Sequence, residues 1–200
     1  MKLSPVDGSL PTVPPMPAAD PIEVRPAAPA DYPAIADLTV AAYEADGQLE
    51  ADDPYRDVLA DVAGRAVAGE VLVAVDGEEV LGSVLYVEAG SSFAETAGPD
   101  EAEFRMLAVS PKAQRRGAGE RLVRACLERA RDRGAERVVI SARDFVEAPL
   151  RLSAFCAAHK LGSANRLGFV RVPERDWTPV PGVRLVGLRY DLSVRRDDPI

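Results

Sequence analysis

With 200 residues and 47% hydrophobic side chains, the chain has the length and apolar content for one globular domain with a sizeable core. Its formal net charge of −8 leaves no basic surplus and argues against nucleic acid as a main partner. No apolar run is long enough for a membrane span, and the N-terminus lacks the apolar core of a secretory signal, so the reading is a protein of the reducing cytoplasm with no membrane partner.

Residues 1 to 21, rich in proline, alanine and small polar side chains, read as a disordered or polyproline-like tail. Ile22 to Arg25 alternates and then meets Pro26, which makes a first short strand. Asp31 is placed as a helix N-cap, with Pro33 in the first turn. Tyr32, Ile35, Ala36, Leu38, Thr39, Ala42 and Tyr43 form the inward face of that helix. A polar, acidic break runs from Glu44 to Asp53. A second helix is expected over Pro54 to Val67, with Leu59, Val62 and Ala66 inward. Val71 to Val75 is a strand, Asp76-Gly77 a tight turn, and Val80 to Val87 the return strand. Ala89 to Asp100 reads as a loop.

Glu103 to Val109 is the next strand, closed by Ser110-Pro111 because proline has no N–H for a ladder. A basic, glycine-rich turn follows: Gln114-Arg115-Arg116-Gly117-Ala118-Gly119. Behind it Leu122, Val123, Cys126, Leu127 and Ala130 recur at helical spacing, so one face of a helix is buried. Gly134 fits its C-terminal end. Val138 to Ala142 is a buried strand, and strand, helix and strand in this order make a parallel crossover. Leu150 to about Lys160 reads as a helix. Leu167-Gly168-Phe169 leads into Val170-Arg171-Val172, Pro173 to Pro181 is a long turn around Trp177, and Val183 to Leu192 is the last strand. Ser193 to Ile200 is a charged, frayed tail. Cys126 and Cys156 both lie in apolar settings and read as core thiols, too few for a disulfide framework. About seven strands and about four helices in mixed order describe an α/β domain over residues 22–192. Its sheet is mixed and largely antiparallel, with one parallel pair. There is no internal repeat and no second domain.

The chemistry concentrates at the glycine-rich turn. A helix start has backbone N–H groups without intrahelical partners, and the aligned peptide dipoles add positive potential there. Gly117 and Gly119 remove the Cβ atoms that would hold an anion off the backbone, and Arg115 and Arg116 add charge. The sum is a phosphate cradle, best suited to a pyrophosphate. A Walker A loop is ruled out because Glu120-Arg121 stands where Lys-Ser/Thr is needed. A dinucleotide fingerprint begins at Gly117 and Gly119 but meets bulky Leu122 at its third small position. An acidic residue at about the right distance, Asp144, is slight support.

Gln114-x-x-Gly117-x-Gly119, preceded by Leu107-x-Val109-x-Pro111, resembles the acetyl-CoA-binding signature of the GNAT superfamily of N-acetyltransferases. The likeness extends over about residues 22–192. It implies the GNAT fold, acetyl-CoA as cosubstrate, and acetyl transfer to a primary amine of a small molecule or peptide. It further implies that the backbone of Leu107, Ala108 and Val109 meets the pantetheine arm and the oxyanion. The pyrophosphate then falls on Gln114, Arg115, Arg116, Gly117, Ala118 and Gly119. A protonated amine with a pKa near ~10.4 must lose a proton before it attacks. The likeness points to Glu103 as the base; the plainer reading of Glu103 is a strand glutamate paired with Arg105. The acceptor region holds Tyr43 and Glu44, with Asp46, Glu50, Asp52 and Asp53 beside them; the plainer reading is a solvated acidic loop.

One departure from the family pattern stands out. The tyrosine that related sequences carry before Leu-Gly-Phe is missing, with Gly162 or Ala164 in its place. Ser163 is a poor acid, and His159 could donate a proton, although a lone histidine near a helix end is more often structural or solvated. The alternative is therefore a GNAT-fold protein that binds acyl-CoA with little or no transfer, as a sensor or binding module. The apolar pattern of Val183 to Tyr190 admits a dimer through the last strands, so monomer and homodimer both stay open.

Overall fold

The computed structural model describes residues 22–50, 52–143 and 167–192. Among these, eight strands join one sheet, in the order β1-β2-β3-β4-β5-β8-β6, with β7 paired to β8. The strands are β1 (Glu23–Pro26), β2 (Glu70–Asp76), β3 (Glu79–Glu88), β4 (Glu101–Val109), β5 (Arg137–Arg143), β6 (Val170–Arg171), β7 (Trp177–Val180) and β8 (Val183–Asp191). The α-helices that lie within the described residues are α1 (Tyr32–Ala45), α2 (Tyr55–Ala60), α3 (Val62–Ala68) and α4 (Ala118–Asp132). No helix among the described residues is long and apolar enough to cross a membrane. The expected helix at 150–160, the segment with Gly162 and Ala164, Cys156, Asp144 and both tails lie outside the described residues.

The sheet separates two cores. On one face α4 buries Leu122, Val123, Cys126, Leu127 and Ala130, the positions its periodicity singles out. These pack with Leu72, Leu81, Tyr86, Phe104, Val138 and Leu188 of the strands. Complete burial pushes the Cys126 thiol well above its ordinary range, as befits an inert core thiol. Gly134, at φ +76°, ends the helix, and the Ala135 N–H returns to the Ala130 carbonyl at 2.9 Å. On the other face Ile35 of α1 and Val62 of α3 pack on Val71, Val73, Leu85 and Val87. Thr39 ties α1 to the sheet, its hydroxyl lying 2.6 Å from the Ile35 carbonyl and 3.4 Å from the Ser83 hydroxyl.

Four expectations are corrected. The helix expected from Pro54 to Val67 is two short helices, broken at Asp61, whose carboxylate accepts the Gly64 N–H at 2.8 Å and caps α3. Asp31 does stand at the N-cap of α1, but its side chain makes no cap bond to that helix; it accepts the Ala28 N–H at 2.7 Å and pairs with Arg25 at 2.6 Å. The hairpin turn is Gly77-Glu78, one residue beyond the expected pair, with Gly77 at φ +58°. The long turn around Trp177 contains β7, which pairs with β8. Among the described residues β8 is an interior strand, paired with β5 along one side and with β6 and β7 elsewhere.

One buried carboxylate locks the start of the parallel pair. Glu101 accepts two bonds from Arg175 at 2.7 and 2.9 Å, one from Arg137 at 3.1 Å and the Gly98 N–H at 2.9 Å. Burial works to raise its pKa, but the Arg175 and Gly98 hydrogen bonds win and hold it below the ordinary value. A depressed folded-state pKa contributes stability that is complete above the unfolded value of ~4.3 and is lost as pH falls through the folded value. Glu101→Gln is expected to cost about 2 kcal/mol at pH 7. It should also flatten the decline of the thermal midpoint below about pH 4.3, where only the wild type still has this charge to lose. Thermal unfolding from pH 7 to pH 3 checks both effects.

Candidate active site

The basic turn brings the chain from β4 to the N-terminus of α4. Its backbone is tightly wound: Arg115 lies at φ +67° and Gly117, the N-cap, at φ +86°. A Cβ on Gly117 would meet nothing within 4 Å, so the space before the helix is open. Gly119 is tighter, since a Cβ there would stand 3.3 Å from a methyl of Val109. The first N–H groups of α4 have no intrahelical acceptors and face this opening with the positive end of the helix dipole. Gln114, Arg115 and Arg116 are exposed around it, and Ala118 is buried beneath. The turn thus has the open, donor-rich form that a pyrophosphate needs. Arg116 is engaged by Asp76 and lies 3.7 Å from Glu79, so part of its charge is already balanced. Leu122 is fully buried, and its bulk at that position runs against the dinucleotide fingerprint.

Before the turn, β4 parts from β5. The parallel ladder pairs only Glu101 to Glu103 with Arg137 to Val139. From Phe104 onward β4 has no strand partner on that side among the described residues, while β5 stays paired with β8 to Arg143. The free backbone includes Leu107, Ala108 and Val109, the residues expected at a pantetheine arm. A bulge adds to the break. Ser83 faces Ala108 but Leu85 faces Arg105, which leaves Met106 and Leu107 opposite Val84 alone. Met106 takes φ +51°, rare for a residue with a side chain. Strict alternation would put Met106 with Phe104 on the α4 face. The bulge instead puts it with Tyr43, Leu49 and Leu59, in the small core under α1 and α2.

A cavity of about 450 Å³ opens from this splay. One wall is Tyr43, Pro54 and Tyr55; a second is β4 from Phe104 to Leu107; a third is Ile140 and Ser141; Val180 and Leu185 close it. The Tyr43 and Tyr55 rings lie 6.3 Å apart. Its charged members are Asp53, Glu95, Arg105 and Arg143. Asp53 accepts the Tyr55 N–H at 2.9 Å, and Arg143 donates to the Gln48 carbonyl at 3.1 Å. Arg105 lies 2.6 Å from a Glu95 oxygen and donates to the Phe93 carbonyl at 2.8 Å. Burial raises the Glu95 pKa above its ordinary value, against the pull of Arg105. Behind the Tyr43–Tyr55 wall, Arg65 is wholly buried and donates to the Leu59 carbonyl at 2.7 Å; burial lowers its pKa.

The acceptor residues expected from sequence are separated. Tyr43 lines the cavity, whereas Glu44 is exposed and pairs with Arg56 at 2.5 Å. Glu103 is fully buried and does not line the cavity. One of its oxygens accepts the N–H groups of Glu95, Thr96 and Ala97 at 3.0, 2.8 and 3.1 Å. Its other oxygen lies 3.7 Å from Arg105, the partner that the plainer sequence reading named. Sequence reasoning missed Glu95 altogether. It falls in a stretch without periodicity, and nothing local marks it as facing a cavity. Arg105, two residues along the strand from Glu103, shares its face and was the accessible signal.

The model of the acetyltransferase (GNAT) family matches residues 32–152. No curated protein matches the chain. Among solved structures, that of histone acetyltransferase HPA2 and related acetyltransferase from Corynebacterium glutamicum is 24% identical. It superposes with a TM-score of 0.62 over 84% of this chain and 94% of its own. The structure of yncA from Salmonella typhimurium with its cofactor acetyl-CoA is 19% identical, with a TM-score of 0.60 over 90% of this chain and 99% of its own. A Bacillus subtilis acetyltransferase in complex with CoA is 20% identical, with a TM-score of 0.54 over 85% and 97%. Identities this low speak for the fold alone. With the family model spanning β4, the turn and α4 together, the chain belongs to the acetyltransferase (GNAT) family.

Proposed function

We propose that the protein transfers an acetyl group from acetyl-CoA to a primary amine that enters the cavity between the Tyr43–Tyr55 wall and β4. The observation that carries this reading is continuity. The open helix start, the unpaired edge of β4 and the cavity follow one another along residues 104–119. In this reading the pyrophosphate rests on the N–H groups of the turn Gln114 to Gly119. The pantetheine arm runs along Leu107, Ala108 and Val109 as an added strand. The N–H groups it leaves free there face the thioester carbonyl, where oxyanion charge develops. Tyr43 and Tyr55 form the apolar, aromatic side of the acceptor site, and they favour an amine carried on an apolar body. Glu103, bound to three successive backbone N–H groups, keeps the 95–97 loop against the cavity.

Calorimetric titration with acetyl-CoA, with NADPH as control, tests the cofactor half. Gly117→Val puts a β-branched side chain at φ +86° and into the open space before α4, so acetyl-CoA affinity should fall at least about tenfold. NADPH should bind neither protein. Acetyl-CoA binding without turnover on any amine would point instead to the binding-module reading. The acceptor half is tested by Tyr55→Ala. It is expected to raise KM for the amine several-fold, with acetyl-CoA affinity unchanged, in steady-state assays of thiol release.

A further inference from the structure

The β4 glutamate and the cavity are separated by a loop, and that loop carries a carboxylate of its own. We propose that Glu95 receives the proton of the incoming ammonium, with Glu103 and Arg105 as its positioning residues. This rests on the transferase reading above. Glu95 lines the cavity with about a third of its side chain exposed, whereas Glu103 has no exposed surface. Asp53, the other cavity carboxylate, is already engaged at the start of α2 by the Tyr55 N–H.

The placement of Glu95 is over-determined. Its own N–H and the next two are all held by one Glu103 oxygen, which fixes the backbone of the loop. Arg105 holds one oxygen of the Glu95 side chain and, through the Phe93 carbonyl, the approach to it. Burial of Glu103 beneath this loop is costly unless its charge is met, and the three N–H groups with Arg105 meet it. An isolated strand glutamate would need none of this apparatus. A loop that must hold a catalytic carboxylate still does need it.

The step balances without any further reactant. The ammonium gives one proton to Glu95, and the freed lone pair forms the N–C bond at the thioester carbon. Collapse of the tetrahedral intermediate breaks the C–S bond. The sulfur leaves as thiolate and takes the second nitrogen proton, and Glu95 returns its proton to solvent. The products are the amide, the CoA thiol and one proton. The raised proton affinity of Glu95 suits this role, since it draws the carboxylate toward the working pH. The charged groups acting on it are Arg105 and Glu103 from β4, while Asp53, Tyr43 and Tyr55 from the helical side and Arg143 from β5 line the same cavity.

The test uses the full chain, saturating acetyl-CoA, and a panel of arylalkylamines, aliphatic diamines and peptides with free N-termini or lysines, from pH 6 to 10. Glu95→Gln is expected to lower kcat about 100-fold at pH 7. The deficit should close toward pH ~10, where the amine is its own free base. Acetyl-CoA affinity should be unchanged. In Glu103→Gln the acidic limb of the rate profile should move to lower pH, because the Glu103 charge helps to raise the Glu95 pKa. A merely structural role would leave that limb in place. Wild-type kcat in Glu95→Gln, or a loss equal at every pH, overturns the assignment while the transferase reading stands. A wild type that binds acetyl-CoA and acetylates no member of the panel overturns that reading, and this assignment with it.

Discussion

The parallel ladder between β4 and β5 is three residue pairs long, and the rest of the molecule is arranged around its early end. A longer ladder would satisfy the backbone of Leu107 to Val109 and leave no edge for a ligand to join. A shorter one would let the sheet part. Two devices set the length. Glu101 clamps the closed end through Arg175, Arg137 and the Gly98 N–H. The bulge at Met106 breaks the regular alternation of β4 beyond it. Each costs something: a buried charge in one case, a left-handed backbone on a non-glycine residue in the other. Such costs are kept where they shape a site.

The α4 core and the small cluster under α1 and α2 divide the labour. The α4 core is large and apolar, and it holds the helix start rigidly at the end of β4. The small core of Tyr43, Leu49, Leu59 and Met106 supports the opposite wall of the cavity. Its helical members are Tyr43, from the fourteen-residue α1, and Leu59, from α2, which has only six residues. Short helices depend on tertiary packing for their stability, so this wall is the more adaptable one. The proposed cofactor side is thus the more rigid and the proposed acceptor side the more adaptable.

Much of this was legible in the sequence. The periodicity of α4 identifies its buried face, since a 3.6-residue repeat of apolar side chains has one stable use. The β2–β3 hairpin follows from a glycine between two apolar runs. The order strand, proline, glycine-rich turn and helix carries the family resemblance, because an anion site at a helix start requires nearby residues in a set order. Other features were not legible. The break at Asp61 depends on a cap that competes with helix continuation, and both outcomes suit the same residues. β7 is held by pairing with β8, not by any alternation of its own.

By itself the sequence determined the elements whose cause is local: the buried face of α4, the turn that frees its first N–H groups, and the strand that ends at Pro111. Tertiary structure alone decided which carboxylate meets the cavity. Glu103 and Glu95 are eight residues apart, both glutamates, and indistinguishable by composition. One is sealed beneath three backbone N–H groups and the other reaches the cavity wall, because the loop folds back over its own strand. That choice is made by contacts between segments, and no periodicity along the chain records it.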